Sequence, residues 1–127
     1  MLSARDHLIL SSLGDTYRVF DEEGFLVIII DGFPMPKGMV PQSSTVLVRL
    51  PPGFPDAAPD MFWLDPAVHA VDGRVFPGTE ASQIFIGRSW QRWSRHIQQE
   101  WRPGIDNLST YMAYIRRCLD HAIRVAA

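Results

Sequence analysis

The sequence predicts an α+β fold, and two patterns carry that reading. Four β-branched and aromatic runs come first, at Thr16–Phe20, Gly24–Ile30, Ser44–Leu50 and Met61–Asp65, and one long helix-period stretch follows at Ile105–Val125. Strands grouped ahead of a helix, without βα alternation, indicate an antiparallel sheet with the helix packed on one face. The expected architecture is a four-stranded antiparallel meander with a C-terminal helix. At 127 residues, the chain 1–127 is expected to form one domain around one core.

Each element has a local reason. Leu2, His7, Leu8 and Leu13 recur at helical spacing before Gly14, which reads as a short helix or lead-in over Met1–Gly14. The acidic, glycine-ended Asp21-Glu22-Glu23-Gly24 between the first two runs reads as a hairpin turn. Three prolines and two glycines in "DGFPMPKGMVPQ", Asp31 to Gln42, read as loop and not strand interior. The stretch "LPPGFPDAAPD", Leu50 to Asp60, holds four prolines. Each proline ring fixes φ and removes a donor, so this connection is stiff and positions something. Pro66 to Ile86 shows turn signals at Val71-Asp72-Gly73 and Pro77-Gly78 and reads mostly as loop. In the closing helix Leu108, Met112, Ile115, Leu119, Ala122 and Ile123 form the apolar stripe.

Composition excludes several function classes. With 46% apolar and 20% charged residues the chain is globular and not disordered. A net charge of −2 supplies no general field for a polyanion, which argues against nucleic acid. The longest apolar run, Phe25–Ile30, is far short of the roughly 20 residues that span a bilayer, and no signal pattern opens the chain. No membrane association and a cytoplasmic location are therefore expected. The single cysteine, Cys118, excludes an internal disulfide. His7, His69, His96 and His121 are isolated and fit no ligand spacing, and no glycine-rich phosphate loop is present, so neither metal nor cofactor is expected.

The densest chemistry lies between Arg88 and Gly104, where Trp90, Trp93 and Trp101 interleave with Arg88, Arg92, Arg95, Arg102 and His96. The tryptophans read first as core anchors, because each removes a large apolar area from water. The arginines stack on those rings, pair with carboxylates, or face a carboxylate-bearing partner. Arginine with tryptophan is also the chemistry of interface hot spots, so Arg88, Trp90, Arg92, Trp93, Arg95 and Arg102 form a candidate partner-binding set. His96 is the candidate catalytic residue, since imidazole serves as base or transient nucleophile near neutrality, with a hydrogen-bonding tie between loop and core as the alternative. Ser94 would need an identified base to act. Cys118 has Arg116, Arg117 and His121 nearby in sequence, yet sits beside Leu119 on the inward stripe of the helix, which favours a buried thiol.

The order of these motifs resembles the ubiquitin-conjugating (UBC) fold. "LPPGFPDAAPD" leading into "MFWLDP" is similar to that family's proline-rich segment between its third and fourth strands, and "WRPGIDNLSTYMAYIRRCL" to its Trp-x-Pro element. "GRSWQRWSRH" followed by "EWRPGIDNLSTYM" resembles more narrowly a group of prokaryotic UBC-like proteins linked to ubiquitin-like modification. The resemblance covers roughly Gly24 to Leu119. It implies a modifier and its activating enzyme as partners, with a target protein as a further one. It also implies a thioester cysteine between the fourth strand and the Trp-x-Pro element, preceded by His-Pro-Asn. Here Pro66 to Trp101 holds no cysteine, and His69 is followed by Ala70-Val71. The expectation is a UBC-like protein that binds non-covalently. The alternatives are a conjugating enzyme with His96 or Cys118 as a non-standard acceptor, and an interaction module unrelated to any modifier.

Overall fold

The computed structural model of the protein describes residues 2–126; Met1, where the expected lead-in starts, and Ala127 lie outside the described residues. Helix α1 spans Ala4–Leu13. Its start is a capping box: the Ser3 hydroxyl accepts from the Asp6 N–H at 3.1 Å, and the Asp6 carboxylate accepts from the Ser3 N–H at 3.0 Å. Strands β1 (Thr16–Glu22) and β2 (Phe25–Pro34) form the expected hairpin. Its two turn residues, Glu23 and Gly24, have φ of 53° and 84°, the paired positive values that match a tight turn to strand twist.

The expected meander is present as β1, β2, β4 (Ser43–Leu50) and β5 (Phe62–Asp65), neighbours in that order and all antiparallel. Val27 to Ile30 on β2 and Val46 to Val48 on β4 are buried on both faces, which accounts for their unbroken apolar runs. The strand count needs correction. The stretch expected as loop from Pro66 to Ile86 contributes β6 (His69–Ala70) and β7 (Ser82–Phe85), and Arg88–Trp93 is a further strand, β8. The main sheet therefore has six strands, ordered β1-β2-β4-β5-β8-β7.

The segment expected as loop from Asp31 to Gln42 also needs correction. It carries the end of β2 and a short β3 (Met39–Val40), which pairs with β6. Pro34 sits at the last position of β2, where a missing donor is tolerated.

Helix α2 spans Leu108–Ala126, three residues shorter at its start than the sequence pattern predicts. Asn107 ends that pattern by capping: its Oδ1 accepts from the Thr110 N–H at 3.2 Å, and the Thr110 hydroxyl accepts from the Asn107 N–H at 2.8 Å. The predicted stripe Leu108, Met112, Ile115, Leu119 and Ala122 is buried against one sheet face with Ile28, Ile30, Val46, Val48, Phe62, Leu64 and Trp93. The opposite face has its own smaller core of Val27, Ile29, Leu47, Trp63 and Trp90. Strand β8 reaches both, because Trp90 and Trp93 are an odd number of residues apart and so project from opposite faces.

Candidate functional site

The candidate site is the seam between the proline-rich loop, Pro51 to Met61, and the segment Ser94 to Trp101 that leaves β8. Four bonds close it. The Trp101 indole donates to the Pro55 carbonyl at 2.9 Å, the Gln98 amide to the Pro59 carbonyl at 3.3 Å, and the Met61 N–H to the Arg95 carbonyl at 3.0 Å. The fourth joins two side chains, His96 Nδ1 and Asp60 Oδ1, at 2.6 Å. Phe54 packs its ring against Trp101 at 6.2 Å between centroids, so the stiff loop is fastened at both ends. What the prolines position is Asp60.

His96 is exposed, with 59% of its side chain open to solvent, and it borders a shallow cleft with Gln98, Gln99 and Glu100. A carboxylate oxygen only accepts, so the bond to Asp60 places the imidazole hydrogen on Nδ1. In the neutral ring this leaves the Nε2 lone pair free, the orientation that a carboxylate gives the histidine of a base–orienter pair.

The other nucleophiles are placed differently. Cys118 is half-buried on α2. Burial pushes its thiol above the ordinary value and outweighs the opposing pull of the Tyr114 hydrogen bond and of Arg95 and Arg117. Tyr114 beside it is likewise raised, first by burial and then by the neighbouring Cys118. An environment that disfavours the thiolate is the reverse of an activated cysteine. Ser94 is half-buried and donates its N–H to the Gly78 carbonyl at 3.0 Å; among the described residues no base is hydrogen-bonded to its hydroxyl.

The arginine–tryptophan set does not form one patch. Trp90 and Trp93 are core rings, at 1% and 0% exposure on opposite sheet faces, and Trp101 packs at the edge of the larger core. Arg88 lies 4.5 Å over the Trp90 ring and pairs with Asp65 at 2.5 Å. Arg95 lies 5.0 Å over Trp93. Arg92 shares the Trp90 face, and its Nε is shut from solvent without a hydrogen-bond partner among the described residues. Arg102 ties the entry to α2: its backbone N–H donates to Asp106 Oδ2 at 2.7 Å and its guanidinium to Oδ1 at 3.3 Å. That backbone bond, then the guanidinium, holds the Asp106 carboxyl below the usual carboxylate range.

Sequence reasoning missed Asp60, Met61 and Tyr111. Asp60 stands 36 positions from His96, in a segment read for its prolines. Tyr111 lies on the buried side of α2 among the core residues, and its hydroxyl donates to the Met61 carbonyl. No spacing rule links these residues. The one available signal was that a rigid loop ending on a carboxylate must aim it somewhere.

An antiparallel sheet with the proline-rich connection before β5, a segment leading from β8 to a Trp-x-Pro element, and a C-terminal helix over one face together define a UBC-like α+β protein. The chain belongs to the prokaryotic E2 family E, whose family model matches residues 2–122. It is thus an E2-like component of a prokaryotic ubiquitin-like pathway, a family that in general works with a modifier and an activating enzyme. Comparison with the curated proteins and with the solved structures gave no match. Among the described residues no helix is long and apolar enough to cross a membrane.

Proposed function

We propose that the protein acts by non-covalent binding within that pathway, holding a ubiquitin-like modifier, its activating enzyme or a target without carrying the modifier as a thioester. One observation carries this reading: the only cysteine of the chain is Cys118, half-buried on α2 with a thiol raised by burial, and the segment Pro66–Trp101 contains none. A thioester needs an accessible thiolate. Arg88 and Arg102, whose side chains are 38% and 65% exposed, are the guanidinium groups best placed to meet a partner's carboxylates. Arg95 serves mainly as cover over the Trp93 ring, and the Nε of Arg92 is shut from solvent.

The test is a charging assay. Purified protein is incubated with ATP, magnesium, a ubiquitin-like modifier and its activating enzyme, and run on denaturing gels with and without thiol. Wild type, Cys118→Ala and His96→Ala are compared. No adduct in any lane, with a measurable affinity for modifier or activating enzyme by titration calorimetry, is expected. A thiol-sensitive adduct lost only in Cys118→Ala overturns the proposal.

The free Nε2 of His96 favours a second reading, in which the imidazole takes the acyl group or removes a proton from an acceptor amine. An adduct that resists thiol and vanishes only in His96→Ala would establish it over the first.

A further inference from the structure

Three non-glycine residues among those described have positive φ: Glu23, Ile86 and Met61. The first two occupy two-residue hairpin turns, Glu23-Gly24 and Ile86-Gly87, where the turn itself demands that geometry. Met61, at φ 61°, has no such turn; it is the last residue before β5. A left-handed backbone at an ordinary residue costs energy and persists only where its surroundings fix it, and such strain gathers at functional sites.

The fixing groups are present. The Met61 N–H donates to the Arg95 carbonyl at 3.0 Å, and the Met61 carbonyl accepts from the Tyr111 hydroxyl. Tyr111 is fully buried and braced between Trp101 and Tyr114, at 6.3 and 5.8 Å between ring centroids. Its buried hydroxyl needs an acceptor, and the Met61 carbonyl is the one it has. The first bond holds the peptide that joins Asp60 to Met61 and the second holds the peptide that follows it, so Met61 is fixed on both sides, and the first anchor, Arg95, is the residue directly before His96. The strained residue therefore sits where the two irregular segments of the seam are held together beside the 2.6 Å bond between Asp60 and His96.

We propose that Asp60 is the orienting partner of His96, and that the left-handed Met61 peptide, gripped by Tyr111, is the device that holds it there. Tyr111 and Met61 are positioning residues. Their product is one tautomer of His96, hydrogen on Nδ1 and lone pair on Nε2, opposite to the tautomer that histidine prefers in water. This deepens the second reading of His96 above.

The experiment reads the imidazole directly, by long-range ¹H–¹⁵N spectroscopy of ¹⁵N-histidine-labelled protein in alkaline solution, where the ring is neutral. Wild type is expected to show His96 with a protonated Nδ1, and Asp60→Ala to revert to protonated Nε2. Met61→Val, whose β-branched side chain resists positive φ, is expected to shift at least a third of the way toward Asp60→Ala. Met61→Gly, which adopts φ 61° without strain, is expected to keep the wild-type signature. Tyr111→Phe, checked for folding by its amide spectrum, is expected to shift as Met61→Val does. Protonated Nε2 in wild type, or a wild-type signature in Met61→Val, overturns the proposal; if Tyr111→Phe does not fold, the valine–glycine pair decides alone. No modifier enters this experiment, so its failure and the failure of a charging assay are separate results.

Discussion

Cys118 and His96 are the two side chains weighed above as non-standard acceptors, and the fold treats them in opposite ways. Cys118 rides on α2, beside the core, where burial raises its thiol. His96 stands on an irregular segment, open to solvent, with its ring turned by a carboxylate from a proline-stiffened loop. The intrinsically better nucleophile is withheld, and the weaker one is presented and oriented. Reactivity here follows the environment and not the residue type.

The comparison is broken most completely by removing its scaffold. Trp93 stacks on Phe62 at 5.4 Å, touches Phe76 at 5.7 Å, and carries the segment that leads to His96. Trp93→Ala is expected to cost about 3–5 kcal/mol, read as a lower urea midpoint, and to abolish the contrast because both regions lose their floor. An unfolding free energy within about 1 kcal/mol of wild type would show that β8 does not hold the site.

A smaller loss is expected on the α2 side alone. The Asp106 carboxyl lies below its ordinary value of 3.8 because it accepts from the Arg102 N–H. A depressed carboxyl stabilises the fold above the unfolded value, and that contribution disappears as pH falls through the folded one. Asp106→Asn should therefore melt below wild type at pH 7, with the gap closing below pH 3.8. A gap that persists in acid would assign the effect to packing and not to charge.

The gentlest test sharpens the contrast without damaging the protein. Alkylation of Cys118 at neutral pH is expected to run roughly tenfold slower in the native protein than in the urea-unfolded chain, since both burial and the raised thiol suppress the thiolate. Equal rates, followed by mass spectrometry, would show Cys118 to be as available as His96.

Much of this arrangement is legible in the sequence, and the limits are physical. The runs at Gly24–Ile30 and Ser44–Leu50 announce themselves because a strand buried on both faces must be apolar throughout. The stripe of α2 is equally plain, because a helix packed on one side repeats every 3.6 residues. The β7–β8 hairpin is harder to see: Ile86-Gly87 supplies its turn, but Ser82–Phe85 is an edge strand of four residues with alternating exposure, too short for a pattern to stand out. His96 could be nominated from its neighbours, whereas Asp60 could not be joined to it. Their meeting depends on how two irregular segments cross, and irregular backbone leaves no period to read. The tryptophans show the same limit from the other side, since residue type alone does not tell a core ring from an interface ring.

One strand has a mechanical consequence. With Trp90 driven into one core and Trp93 into the other, β8 works as a bolt through the thickness of the sheet, secured by a head on each side. The segment that begins at Ser94 starts from a fixed point, and at Trp101 it is pinned again to the proline-rich loop. A span held at both ends does not swing open and shut like a lid. On the reading proposed above, a partner that meets His96 finds it on a span anchored at both ends, at Trp93 in the core and at Trp101 on the proline-rich loop.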